Sequence, residues 1–283
     1  MFKNFSKLNK KLLINENNIK DLIIKENLKE IKNKKEFLTK FINYEIDKNK
    51  KKIIEVKNLN KSFNHQKNHV LKNLSIDFYE GENVAILGGN GAGKTTFVEI
   101  LAGINKPDSG DLKYNFKFKN TFQEKIGIQF QDSNYPKGIS VKSVINFILE
   151  IFKSELSQDE INGLINIFGI DEFYYKKAAS LSGGQSQRLN CLLSIIHKPN
   201  FLILDELSTG LDVTIKSKIK NFIKSFCKQN NITILLVSHD MEEIQYLVDR
   251  IIILKNGEIF VDSKLEKIIQ KFGSLSKCMD LYI

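Results

Sequence analysis

Eight consecutive residues of this chain have the composition and spacing of a loop that holds phosphate groups. They fit the pattern G-x-x-x-x-G-K-[ST]. Glycine amides can surround phosphate oxygens, a lysine neutralises their charge, and a hydroxyl ligates magnesium. The run VAIL before the loop indicates a buried strand, and apolar residues at 97, 100 and 101 indicate a helix after it. We therefore predict a nucleotide site in the residues Gly88, Gly89, Asn90, Gly91, Ala92, Gly93, Lys94 and Thr95.

Two carboxylates end a second apolar run. Residues 201–204 read FLIL and are followed by Asp205 and Glu206. A strand buried on both faces delivers its last residues to the crevice where α/β sheets bind ligands. Asp205 is then placed to reach magnesium, and Glu206 to polarise an attacking water as a general base. Without the phosphate loop, a solvated strand end would be the simpler interpretation of this pair.

A third run, LSGGQ at residues 181–185, stands immediately before an apolar helical pattern. Adjacent glycines let the backbone approach a ligand closely, and the amides at a helix N-terminus attract anions. Alone, the run is also typical of an ordinary capped turn. Together with the phosphate loop and the carboxylates, it makes the chain resemble the ATP-binding subunits of ABC transporters, whose signature sequence is LSGGQ. The resemblance covers about residues 53–262.

The smaller motifs of that family follow in the expected order. Gln131 matches the Q-loop glutamine, residues 208–212 (STGLD) match the D-loop, and His239 matches the switch histidine. Phe63 stands in the place of the aromatic residue that stacks on adenine. Each of these motifs is weak alone, because a polar loop residue, a surface histidine or a core phenylalanine would look the same. Their shared order and spacing along the chain support the resemblance to the family.

The resemblance implies a role for each matched residue. It assigns catalysis of ATP hydrolysis to Lys94, Gln131, Glu206 and His239. It assigns Mg²⁺ binding to Thr95, Gln131 and Asp205. In this family two nucleotide-binding domains meet head to tail, so that ATP lies between the phosphate loop of one chain and the LSGGQ of the other. The residues implied to contact ATP are Phe63, Gly88 to Thr95, Thr96, Ser182, Gly183, Gly184, Gln185 and Asp212.

The expected fold is α/β, a P-loop NTPase core in which helices flank a mainly parallel sheet. The resemblance adds an antiparallel β-subdomain and a helical subdomain at about residues 132–180 that meets a membrane subunit. Short strands at residues 53–56 and 74–78 fit the antiparallel layer near adenine. Residues 134–136 follow Gln131 closely, so we expect the contact surface for the membrane subunit there. Residues 263–283 are expected to form a short helical tail.

Three positions depart from the usual text of the family. Leu207 replaces the proline that commonly follows the catalytic glutamate, Ser186 replaces a frequent Arg or Lys, and Phe97 replaces a common Leu. None of these changes removes a catalytic group. The absent proline leaves the turn after Glu206 less fixed.

The charge of the chain is concentrated at its front. Residues 1–52 contain 15 Lys and 7 acidic residues, whereas residues 53–283 contain 28 basic and 26 acidic ones. This separation argues against a nucleic-acid groove on the nucleotide domain. Apolar residues in the extension recur at helical spacing. This fits a basic amphipathic helix on a membrane surface or on a transporter subunit, or else a solvated Lys/Asn-rich helix. The latter interpretation is the simpler one.

The remaining composition bounds the class of protein. A chain of 283 residues can hold one large α/β domain with a helical insert. No apolar run approaches the roughly 20 residues that span a bilayer, so we expect a soluble chain. Its three cysteines lack metal-binding spacing and are expected to be reduced thiols in the cytosol, namely Cys191, Cys227 and Cys278.

Three classes of ABC protein are possible interpretations of this sequence. Soluble ABC proteins of translation usually carry two such domains, and those of DNA repair or chromosome structure carry a zinc module or a coiled coil. Neither pattern occurs here, and the retained Glu206 and His239 disfavour a non-enzymatic sensor. We therefore expect a peripheral subunit on the cytoplasmic face of the membrane, paired with a transmembrane permease subunit and a second nucleotide-binding domain, identical or different. Gly210 and residues 135–141 resemble drug and lipid exporters; an importer subunit is the alternative.

Overall fold

The computed structural model describes residues 40–44, 50–63, 68–130, 134–207 and 210–283. Residues 1–39, which hold most of the predicted extension, lie outside this part of the chain, as do Gln131 and two D-loop residues, 208 and 209. The strands are β1 Phe41–Asn43, β2 Lys52–Phe63, β3 Asn68–Tyr79, β4 Asn83–Leu87, β5 Ser109–Tyr114, β6 Ile126–Gln129, β7 Phe201–Asp205, β8 Thr233–Val237, β9 Arg250–Lys255 and β10 Glu258–Lys264. The helices are α1 Lys94–Leu101, α2 Val141–Ile151, α3 Gln158–Ile167, α4 Gly183–Ile195, α5 Val213–Gln229, α6 Met241–Leu247, α7 Leu265–Phe272 and α8 Leu275–Tyr282.

A seven-stranded sheet forms the centre of the fold, in the order β1-β10-β9-β4-β8-β7-β6. All of its neighbouring strands are parallel except β9 and β10. The strands β4, β7 and β8 are almost entirely buried, as expected for continuous apolar runs covered on both faces. Because these three strands are parallel, their carboxyl ends lie at the same edge of the sheet. That edge carries the phosphate loop, the two carboxylates and His239.

A separate antiparallel sheet, in the order β3-β2-β5, packs beside the first helix. Its apolar face shares a core with the main sheet, where the Phe78 ring lies 6.5 Å from that of Phe97 and 5.4 Å from that of Phe201. The two short strands predicted in this region are parts of the longer β2 and β3, and β5 was not predicted. This layer fixes α1 and therefore the direction of the phosphate loop.

The helical region begins after residue 134 and contains α2 and α3. Ser140 caps α2, and Ser157 caps α3 through a reciprocal pair of bonds with Glu160. Short 3-10 turns at Asp171–Phe173 and Ala178–Ser180 connect α3 to α4. The mainly parallel sheet, the antiparallel sheet and these helices confirm the predicted fold class.

The sheet includes residues from the predicted extension. Phe41–Asn43 forms an edge strand parallel to β10, and Tyr44 donates a hydrogen bond to the buried Glu82. Glu82 also accepts a bond from Arg250, whose guanidinium makes a two-point contact with Asp262 at 2.7 and 2.8 Å. These residues tie the start of the domain to β4, β9 and β10. In the described part of the chain, no helix is long and apolar enough to cross a membrane.

Candidate functional site

Glycine is required where the phosphate loop passes closest to neighbouring strands. A Cβ on Gly88 would lie 2.4 Å from the carbonyl oxygen of Leu254 in β9, and Gly88 has a φ of +152°. A Cβ on Gly93 would lie 2.7 Å from Leu71 Cδ2, at a φ of +101°. Side chains are therefore excluded at both ends of the loop, and its backbone amides remain accessible to a ligand. This cradle fits a chain of phosphates.

The helix that follows the loop leaves its first amides uncapped. Gly93 is the N-cap of α1 and offers no side chain to accept bonds from them, so these donors are available to an anion. Lys94 Nζ donates to the carbonyl oxygens of Gly88 at 2.7 Å and Gly89 at 3.1 Å. Burial lowers the Lys94 pKa, although the negative charges of Asp205 and Glu206 act to raise it. The ammonium group therefore stands inside the loop, close to both carboxylates.

A pocket of about 610 Å³ opens onto the loop. One wall is residues 90–96, which bring the Thr95 and Thr96 hydroxyls to the cavity. Thr95, for which the sequence predicts a role as a magnesium ligand, is exposed. The other wall is formed by Asn68, His69, Val70, Lys72 and Asn256.

The second wall differs from the sequence prediction. Phe63 is 39% exposed at the end of β2, pairs with Asn68 across the hairpin, and has Lys61 Nζ 5.3 Å from its ring centre. It is not among the described residues that line the pocket. Asn68, His69 and Asn256 occupy that wall. The sequence did not indicate them, because isolated polar residues near a hairpin and a turn form no motif.

The two carboxylates that follow β7, Asp205 and Glu206, lie close to Lys94. Burial raises the Asp205 pKa, and Glu206 raises it further, whereas Lys94 and His239 lower it. These four side chains are thus close enough to influence one another electrostatically. His239 is exposed and follows β8, immediately before the N-cap Asp240 of α6. The structure therefore brings four of the predicted site residues to one edge of the sheet.

The backbone at Glu206 has an unusual conformation. Its φ is +54°, a left-handed value that is uncommon outside glycine, and its N–H donates to Val237 O at 2.8 Å. Two buried amide side chains, both missed in the sequence, bond to carbonyls in this segment. Gln129 Nε2 lies 3.4 Å from Asp205 O, and Gln187 Nε2 donates to Glu206 O at 2.6 Å.

The signature run begins helix α4 at a distance from this cavity. Ser182 is its N-cap, and the Ser182 hydroxyl and the Gln185 side chain exchange bonds with each other's backbone amides. Ser182 and Gly183 are exposed, and a Cβ on Gly183 would meet nothing within 4 Å. In the described part of the chain, residues 181–185 are not among those that line the pocket. The tip of α4 therefore offers amides and a hydroxyl to the outside of the molecule.

The described end of the D-loop is also exposed. Asp212 is the N-cap of α5 and accepts a bond from the Ile215 amide at 3.0 Å, while Val213 is 84% exposed. A Cβ on Gly184 would lie 2.7 Å from Gly210 O, so the signature helix and the D-loop are in backbone contact. Together they form one continuous exposed region.

Exposed apolar side chains gather on the helical region. Phe147 and Ile151, one turn apart on α2, are 60% and 54% exposed, and Tyr175 beside α2 is 78% exposed. Within the predicted contact segment 134–136, Tyr135 is half-buried and its hydroxyl donates to Asn190 of α4. Tyr135 thus anchors this segment to the signature helix, and α2 presents more apolar surface than the segment itself.

Comparisons with known proteins agree with this geometry. A family model described as "ABC transporter" matches residues 71–209. The chain is 36% identical to the uncharacterized ABC transporter ATP-binding protein MJ1023 of Methanocaldococcus jannaschii, over 78% of this chain and 80% of that protein. It is 32% identical to the spermidine/putrescine import ATP-binding protein PotA of Spiroplasma citri, over 73% of this chain and 60% of that protein.

A solved structure shares the fold. It is a dimer of the ATP-binding cassette MJ0796 in a post-hydrolysis state, bound to ADP and Pi. The match has a TM-score of 0.65 and 25% sequence identity, and it covers 75% of this chain and 98% of that one.

Proposed function

This chain belongs to the family of ABC transporter ATP-binding proteins, and we propose that it binds ATP with Mg²⁺ and hydrolyses it in a head-to-tail dimer to drive a membrane permease subunit. The main observation in support of a dimer is the exposed tip of α4. Its amides and the Ser182 hydroxyl resemble a phosphate-binding surface, yet they do not line the pocket of their own chain. A second chain that presents its pocket to this tip would use them, as the dimeric MJ0796 relative supports.

The proposed chemistry divides among the residues at the sheet edge. Lys94 would exchange its bonds to the loop carbonyls for bonds to phosphate oxygens. Glu206 would accept a proton from the attacking water, and His239 would contact the γ-phosphate. Thr95, Asp205 and Gln131 would hold Mg²⁺, which would neutralise phosphate charge when bound. Gln131 would also report the state of the γ-phosphate to the permease.

The remaining nucleotide contacts would come from the phosphate loop, the tip of α4 and the far wall of the pocket. Residues 88–96 would bind the phosphates of their own chain's nucleotide. Ser182, Gly183, Gly184 and Gln185 would bind the γ-phosphate of the partner's nucleotide, with Asp212 positioning the two halves. On the other wall, Asn68 and Asn256 have polar groups suited to the base or ribose, so we propose that they share this task with Phe63.

The permease would dock on the helical region at the cytoplasmic face of the membrane. Phe147, Ile151 and Tyr175 support this assignment, because exposed apolar side chains grouped on one region are typical of an interaction site. On that basis, charged substitutions at Phe147 should release the subunit from the permease and leave its own ATP hydrolysis intact.

We propose that the direction of transport is export. The support is the glycine at position 210 of the D-loop and the sequence of residues 135–141, which resemble export subunits. Import is the second candidate, and the likeness to the import protein PotA favours it. Transport in vesicles that contain the subunit and its permease distinguishes the two. ATP added on the subunit's side drives substrate into the lumen only if the direction is export.

The hydrolytic assignment is tested with Glu206→Gln. The variant keeps every proposed binding group and loses the base, so ATP affinity should stay within about threefold while turnover falls at least 100-fold. Purified wild type and variant are compared for nucleotide binding and phosphate release. Unchanged turnover in the variant would contradict the role of Glu206.

A further inference from the structure

A single buried side chain joins the signature helix to the catalytic glutamate. Gln187 lies one turn into α4, is 5% exposed, and donates through Nε2 to Glu206 O at 2.6 Å. The same nitrogen lies 3.4 Å from Leu207 O. Because a side-chain amide has two N–H groups, one nitrogen can serve both carbonyls. The α4 helix therefore holds the backbone on both sides of the bond between Glu206 and Leu207.

The segment that Gln187 holds has an unusual backbone conformation. Glu206 has the left-handed φ of +54°, and Leu207 stands where a proline would stiffen the chain. A left-handed conformation at a non-glycine residue costs free energy and persists only when its surroundings enforce it. The hydrogen bonds of Gln187 supply part of that enforcement, together with the bond from the Glu206 amide to Val237 O.

A second contact ties the same helix to the far end of this segment. The first turn of α4 meets the D-loop where Gly184 packs on Gly210 O. The start of α4 is thus attached to this segment at Glu206 through Gln187 and at Gly210 through Gly184. A helix transmits a displacement of its tip over one turn, about 6 Å, with little loss because its backbone bonds are intact.

We infer that Gln187 is a positioning residue that couples the two ATP sites of the dimer. The inference rests on the proposed head-to-tail arrangement, in which the tip of α4 meets the partner's nucleotide and Glu206 serves the chain's own. A γ-phosphate at the tip then moves the carbonyl of Glu206 through Gln187. The carboxylate of Glu206 reaches its working position only when the neighbouring site is filled, so the two sites hydrolyse cooperatively.

Packing alone does not explain a glutamine at position 187. Leu189 and Leu192 on α4 are apolar and fully buried, and the buried polar residues Asn190 and Ser194 each have a hydrogen-bond partner. An amide in such surroundings is costly unless its hydrogen bonds are made, and an apolar side chain would fill the same space. The amide of Gln187 is explained by its bonds to the carbonyls of Glu206 and Leu207, which follow β7.

The test compares Gln187→Met with Ser194→Ala in the full chain. Ser194 lies on the same helix, is 2% exposed, and donates to Cys191 O at 2.8 Å. Gln187→Met removes the bonds to Glu206 O and Leu207 O, whereas Ser194→Ala removes one buried hydrogen bond within α4. We expect Gln187→Met to lower kcat about 10- to 100-fold with the KM for ATP within about twofold, and to reduce the Hill coefficient toward 1. Ser194→Ala should keep the wild-type kcat and Hill coefficient.

A second variant covers the case in which Gln187→Met does not fold. In Gln187→Glu, the side chain has nearly the same size but donates only when protonated. Its kcat relative to wild type should rise as the pH is lowered from 8 to 6, because the protonated acid restores the bond to Glu206 O. A ratio that stays constant with pH would overturn the inference.

The same assays separate this inference from the proposed dimer. If Glu206→Gln still dimerises with ATP, and Gln187→Met keeps the wild-type kcat and Hill coefficient, Gln187 does not couple the sites and only this inference fails. If Glu206→Gln with native Gln187 stays monomeric in ATP and wild-type hydrolysis is non-cooperative, the proposed dimer fails and this inference with it. Loss of kcat and cooperativity in Gln187→Met alone supports the coupling.

Discussion

The phosphate loop and the tip of the signature helix both present amides at the start of a helix, but one is enclosed and the other is open. The loop packs closely against β9 at Gly88 and against β3 at Gly93. The tip of α4 has open space at Gly183 and satisfies part of its own donors through Ser182 and Gln185. The loop is thus a pocket within one chain, whereas the tip is an open surface, which we propose a second molecule completes.

This difference predicts that substitutions in the two regions fail in different ways. Damage to the enclosed loop should appear in the isolated chain, as lost stability or lost ATP affinity. Damage to the open tip should leave the isolated chain intact and appear only when two chains meet.

The largest expected effect is that of Gly88→Ala. The new methyl group would meet Leu254 O at 2.4 Å and impose a strained backbone, so the free energy of unfolding should fall by about 3 kcal/mol. Gly91→Ala is the matched control, because it also has a positive φ but nothing within 4 Å, and it should cost about 1 kcal/mol. Denaturant unfolding measures both, and equal losses would show that the loop is not enclosed at Gly88.

Lys94→Ala should weaken ATP binding with little change in the fold. The substitution removes the only cation that the structure places inside the described part of the loop, and charge-assisted bonds to phosphate are strong. We expect ATP affinity to fall about 100-fold, a loss typical of a bond to a charged group, as measured by calorimetric titration. Affinity within threefold of wild type would remove Lys94 from the phosphate site.

Gly183→Asp should separate stability from function. A carboxylate at the exposed N-terminus of α4 faces the helix dipole, which should stabilise the isolated chain by about 0.3 to 1 kcal/mol. The same charge would repel a γ-phosphate presented by a second chain, so ATP turnover should fall about 10-fold or more. Thermal unfolding and turnover are measured on one preparation. Normal turnover would mean that the tip never meets a nucleotide.

The smallest effect is expected at Asp205. Its pKa is raised in the fold, so its charged form destabilises the native state at pH values above that raised pKa. The stability associated with the protonated form is complete below the unfolded value of 3.8 and is lost as the pH rises through the folded pKa. Asp205→Asn should therefore raise Tm at pH 7 by about 1 to 2 °C, a gain that shrinks toward pH 4. A lower Tm at pH 7 would contradict the burial cost.

The sequence predicted the phosphate loop better than the opposite wall of its pocket. The phosphate loop is set by local chemistry, since its glycines and lysine are contiguous and its flanking strand and helix have clear periodicity. The fold class follows from the buried strands β4, β7 and β8. The far wall of the pocket could not be predicted, because it depends on how a hairpin and the turn at Asn256 approach the loop in space.

Two further features required tertiary structure. The strand at Phe41–Asn43 has three residues, too few for any periodicity, and it forms only because β10 offers an unpaired edge. The role of Gln187 depends on the path of the chain after β7, which the missing proline at position 207 indicated only as a looser turn. The position of the predicted adenine platform also depends on tertiary structure, since Phe63 does not line the pocket and its far wall is formed by other residues.

The most direct test of the central claim is the mass of Glu206→Gln in solution with and without ATP and Mg²⁺. Light scattering on the purified chain gives that mass. We predict that it doubles from the monomer value of 32.5 kDa when ATP is added, and that Gly183→Asp introduced into the same chain abolishes the change. A chain that binds ATP at Lys94 and remains at 32.5 kDa would contradict a site completed by a second copy.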